Sequence, residues 1–121
     1  MATNSALVLE WGMPIPGRET KALEEFMVHV AWWNQLKASG KITEFKALGP
    51  ITGNIAERAG MAILEGDTKQ IADLLASDDF RVHFNRAAIC VNNVRATVFE
   101  TGDAMTTRLQ RFGKNLKDVL G

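Results

Sequence analysis

Two stretches of the chain, Ala6–Trp11 (ALVLEW) and Gly60–Glu65 (GMAILE), are apolar at nearly every position instead of at alternate ones. A strand that shows one face to water alternates, so strands without alternation are covered on both faces. Helices from the same chain can cover one of those faces. In a chain of 121 residues the expected cover for the other is a second copy, packed sheet against sheet in a homodimer.

That length fits one domain, residues 1–121, and is enough for a hydrophobic core. Fourteen Lys and Arg balance fourteen Asp and Glu, so no net field draws in nucleic acid or an anionic membrane, and neither is an expected partner. A lone Cys90 excludes an internal disulfide and a multi-cysteine metal cage, and nothing in the sequence calls for a metal or a cofactor. The opening MATNSALVLEWGMP lacks a basic segment followed by a long apolar one, and no apolar run has the length of a membrane span. The expectation is a cytoplasmic protein.

After the first apolar strand, Pro14, Pro16 and Gly17 break the ladder. From about Arg18 to Ser39 the spacing is helical, with Ala22, Leu23, Phe26, Met27, Val30 and Trp33 on one arc, and Gly40 supplies the stop. KITEFKAL alternates and reads as a half-wet edge strand. Turn-rich GPITGNIAERAG leads into the second apolar strand. Asp67 and Gln70 then form a capping box for a short helix through IADLLA, and Ser77 caps a further turn or two. A fourth strand is expected over about Val91–Glu100. Residues 104–120 form a last helix, with Met105, Leu109, Phe112, Leu116 and Leu120 at helical spacing, expected to dock on the core at 6–100.

The order strand, helix, two strands, helix, strand is a split βαβ repeat. Right-handed crossovers place its first and third strands at the centre of an antiparallel sheet. Those are the two doubly apolar strands, so topology and composition agree. From Ala6 to Glu100 the pattern resembles the ferredoxin-like βαββαβ sandwich of the dimeric α+β barrel superfamily, here with an additional C-terminal helix. The resemblance implies two sheets packed face to face with helices outside. It also implies a cleft between sheet and helices, as in cofactor-independent monooxygenases, muconolactone isomerases and haem-handling relatives. The chain carries Leu7, Val8 and Leu9 where oxygenase and haem-degrading relatives often place an asparagine. The acidic partner that the YCII-like branch sets beside its histidine is not evident either.

There is no phosphate loop, nucleophile elbow or paired-histidine zinc motif, so histidine chemistry rests on His29 and His83. His29, one turn from Phe26 and Trp33, is the candidate catalytic residue, because a half-buried imidazole can be tuned to exchange a proton. The alternative is a histidine bonded locally at the edge of the core. Trp33, Phe26, His83 and Glu10 are the candidate ligand-binding residues. His83 lies near Arg81 and Arg86, and could orient an anionic group or simply pack. Glu10 interrupts a central strand, and either pairs with Arg58 or Arg95 or acts as a desolvated proton acceptor. Trp32 diverges from Trp33 by about 100° and is expected outside the core that Trp33 enters. Met13, Met27, Met61 and Met105 read as core fillers. Two functions stay open: a small-molecule binder or enzyme acting on a planar aromatic or quinol-like ligand, and a non-catalytic dimerisation or regulatory module.

Overall fold

The computed structural model describes residues 3–121. Along them run β1 (Ser5–Trp11), α1 (Glu19–Ala38), β2 (Glu44–Leu48), β3 (Gly60–Gly66), α2 (Thr68–Ala76), α3 (Asp78–Cys90), β4 (Arg95–Glu100) and α4 (Gly102–Leu120). The strands form one antiparallel sheet in the order β2-β3-β1-β4, which puts the two doubly apolar strands at its centre.

Register divides the two faces. Leu7, Leu9 and Trp11 stand opposite Leu64, Ala62 and Gly60, and alternate residues of a strand share a face. Leu7, Leu9, Ala62 and Leu64 carry the core, which Trp32, Trp33 and Leu36 of α1 and Ile71 and Leu74 of α2 close from the helical side. On the outer face Ala6, Val8 and Glu10 stand opposite Glu65, Ile63 and Met61, with Thr97 and Phe99 alongside on β4. Ala6 and Val8 are buried among these neighbours, whereas Phe99 and Leu48 are exposed towards the two edges.

The helix ends follow their local chemistry. Gly40, at φ +75°, takes the left-handed position after α1. Its N–H bonds to Lys37 O and that of Lys41 to Leu36 O, so two terminal carbonyls are satisfied. Asp67 and Gln70 form the expected reciprocal capping box. Ser77 Oγ accepts from Phe80 N, but the helix it starts runs thirteen residues to Cys90 rather than a turn or two. β4 is correspondingly shorter than Val91–Glu100: Val91 makes only an isolated bridge to Pro14, and Asn93 turns the chain at φ 57°.

Three further expectations are corrected. The buried face of α1 is Ala22, Glu25, His29, Trp32, Trp33 and Leu36, rotated from the predicted arc, so that Leu23 and Met27 are exposed. Trp32 is buried beside Trp33 because α1 packs on two neighbours: Trp33 faces the strands, with Phe45 at 5.9 Å, while Trp32 faces α3. Met13, Met27 and Met105 are exposed and fill no core. Finally, α4 is a helix as expected but does not dock. None of its residues is buried, and Phe112, in the middle of its apolar stripe, is 65% exposed.

Candidate ligand cavity between the first and third helices and the sheet

Gly60 makes room for the aromatic floor of the site. It faces Trp11 across the β1–β3 ladder, and a Cβ added there would collide with the indole ring. The Trp11 ring therefore lies over the bare backbone of β3 and reaches α1. Its centroid is 6.4 Å from Trp33, nearly parallel, and 6.0 Å from Phe26. Phe26 and Trp33 meet edge to face at 6.3 Å, an arrangement that aligns positive ring edge with negative ring face. From α3, Phe80 and Phe84 pack together at 5.7 Å and supply the opposite wall.

These rings enclose a cavity of about 70 Å³ that Leu9, Ala22, Ala87, Val91 and Val94 also line. Its lining includes four residues with polar side chains, Glu10, Glu25, His29 and Cys90. Of the predicted site residues, His29, Trp33, Phe26 and Glu10 lie on this cavity. His83 does not line it. Its ring stacks on Trp32 at 4.0 Å with an interplanar angle of 2°, and its Nδ1 lies 2.8 Å from Asp79 O. Trp32 Nε1 in turn donates to Asp79 Oδ2 at 3.1 Å.

Glu10 borders the cavity by position, but its carboxylate is held by two arginines, Arg58 Nε at 3.0 Å and Arg95 Nη2 at 2.9 Å. The ion-pair alternative is the one the structure shows. His29 is buried, with Nδ1 2.7 Å from Glu25 O and Nε2 3.0 Å from His83 O. Carbonyl oxygens only accept, so both contacts are hydrogen bonds only when both ring nitrogens carry protons. A neutral ring donates to one carbonyl and turns a lone pair to the other. Neither nitrogen is free to meet a ligand in this arrangement.

The residue pair that sequence reasoning missed is Glu25 and Arg86. The Glu25 carboxylate is buried, and Arg86 Nε lies 3.0 Å from each of its oxygens, with Nη2 adding a further contact to Oε1. That hydrogen bonding holds the Glu25 carboxyl below its ordinary range against the opposing effect of burial, and raises the Arg86 guanidinium. Glu25 Oε2 is also 3.9 Å from His29 Nδ1. An acidic partner for the histidine therefore exists after all, one helical turn before it, but it is already committed to Arg86. The four-residue spacing of Glu25 and His29 was the available signal. Among the described residues no cluster of three His, Cys, Asp or Glu side chains could hold a metal, and no helix is long and apolar enough to cross a membrane.

No known family's sequence profile matches the chain, and no curated protein sequence does. Solved structures do match. SnoaB, a cofactor-independent oxygenase from Streptomyces nogalater, superposes with a TM-score of 0.58 over 84% of this chain and 95% of its own, at 13% identity. At3g17210 from Arabidopsis thaliana gives 0.60 over 81% of this chain and 95% of its own, at 11% identity. At such identities the likeness is one of fold, and the chain has the ferredoxin-like α+β fold of these barrel-type proteins.

Proposed function

We propose that the protein binds a small planar aromatic ligand, of the size and type of a simple quinol, in the cavity between α1, α3 and the sheet. The observation that carries this reading is the aromatic box of Trp11, Phe26, Trp33, Phe80 and Phe84 around an almost wholly apolar space with a few polar groups at its wall. The volume of about 70 Å³ is roughly half of what admits benzene in an engineered cavity, so entry requires half-buried Phe26, Phe80 or Phe84 to swing outward. Haem is far too large. Trp33 Nε1 is buried without an acceptor, which favours a ligand carrying an oxygen that can accept.

The fold it shares with a cofactor-independent oxygenase makes oxygenation or isomerisation without a cofactor the activity to assay first. Such reactions begin by taking a proton from the substrate. The arrangement around His29 and Glu25 favours the second reading, a non-catalytic ligand-binding or dimerisation module, because both groups are already hydrogen-bonded within the protein. We further propose a homodimer through the outer sheet faces, supported by the apolar Ala6, Val8, Met61, Ile63 and Phe99 there.

The test is calorimetric titration with phenol, hydroquinone and indole, repeated on Ala87→Phe, which fills the cavity from α3. Binding by the wild type and a loss of at least about tenfold in the variant is expected. If the wild type binds none of the three, the cavity reading fails and the module reading stands. Oxygen uptake or product formation from hydroquinone separates enzyme from binder.

A further inference from the structure

The apolar residues of α4 that lie outside the core follow a stricter rule than helical amphipathicity. Met105, Leu109, Phe112, Leu116 and Val119 are spaced by four, three, four and three residues, and all five are exposed. This is the 3.5-residue repeat of a seam that packs against another helix, narrower than the stripe a helix turns toward a globular core.

The helix also cannot stand alone. An isolated helix of 19 residues is marginal in water, and α4 carries Gly113 at its middle and paired threonines at 106 and 107, all weak helix formers. Something must bury its seam. The charges indicate what. Arg111, Lys114 and Lys117 lie on the back of the helix, away from the seam. The only charged residue beside it is Arg108, and Arg108 is already paired with Glu100 at 2.8 Å. Two copies of this seam therefore meet without like charges facing each other. Gly113 and Asn115 flank Phe112 and allow close approach. A helix built to lie on an anionic membrane instead sets its cations along the border of the apolar stripe.

We infer that α4 pairs with α4 of a second copy of the chain, seam to seam. The pairing stands apart from the cavity reading and adds a contact distinct from the outer sheet face. Position 112 lies at the centre of the seam, so it faces its own copy in either a parallel or an antiparallel pair, within the Cα separation a disulfide spans.

The experiment is mild oxidation of Phe112→Cys and, separately, Arg111→Cys, followed by non-reducing electrophoresis. Both sites are exposed, so neither change threatens folding, and the native Cys90 is buried and serves as its own control. Phe112→Cys should move most of the chain to doubled mass, at least about tenfold more than Arg111→Cys. Equal cross-linking at the two positions, or none at 112, overturns the pairing. So does co-sedimentation of the wild type with phosphatidylglycerol vesicles when Phe112→Cys fails to cross-link, an outcome that would assign the seam to a lipid surface.

Discussion

His29 Nε2 lies 3.0 Å from the backbone carbonyl oxygen of His83, so a single side chain of α1 ties that helix to α3 along the wall of the cavity. Removing the imidazole leaves the His83 carbonyl without this donor and opens space beside Trp32 and Trp33. His29→Ala is expected to lower stability by about 2 kcal/mol in urea unfolding. Unchanged stability would show that the bond contributes nothing to holding the two helices together.

Arg86 and Glu25 should couple stability to pH. The folded-state carboxyl of Glu25 is depressed, so its contribution is fully present above the ordinary value of 4.5 and is lost as pH falls through the lower folded value. Arg86→Met strands a buried carboxylate, while the exposure of the guanidinium moderates the effect. About 2 kcal/mol of destabilisation is expected at pH 7, shrinking as Glu25 protonates below pH 4.5. Unfolding curves of wild type and variant from pH 7 to pH 3 test this; a gap constant over that range would rule out Glu25 as its source.

Gly60→Ala should cost about 2 kcal/mol and displace Trp11, because the new methyl meets the indole rather than empty space. The near-ultraviolet circular dichroism of the tryptophans should change with it. An unaltered spectrum at unaltered stability would mean the ring does not rest on residue 60.

Ile63→Glu places a charge at the centre of the outer sheet face, opposite Val8. If copies associate through that face, sedimentation at micromolar concentration should show the variant dissociating at least about a hundredfold more readily, with its helical content intact. Identical sedimentation of variant and wild type would place the interface elsewhere.

The strand order was legible because continuous apolar runs in Ala6–Trp11 and Gly60–Glu65 carry their own burial, and the capping box at Asp67 and Gln70 is chemistry within four residues. The arc of α1 was harder. Leu23 and Met27 look like core by type, whereas the buried face includes Glu25 and His29, polar residues that enter because α3 brings Arg86 and the His83 carbonyl to meet them. Partners about sixty residues away are invisible to local periodicity. The same holds for Trp11, whose place in the site depends on a glycine in another strand. The failure of α4 to dock has the opposite cause. Its stripe was recognised correctly, but amphipathicity gives no information on whether the cover belongs to the same molecule.

β1 serves the inner and the outer surface in alternate frames: Leu9 and Trp11 floor the cavity, while Val8 and Glu10 look out from the sheet. A side-chain period of two means that inserting or deleting one residue in this strand would carry the indole outward and the carboxylate inward together. The cavity and the outer face can thus diversify by substitution but not by changes in strand length. Variation in length should collect instead in the loop between β2 and β3, where neither frame is at stake.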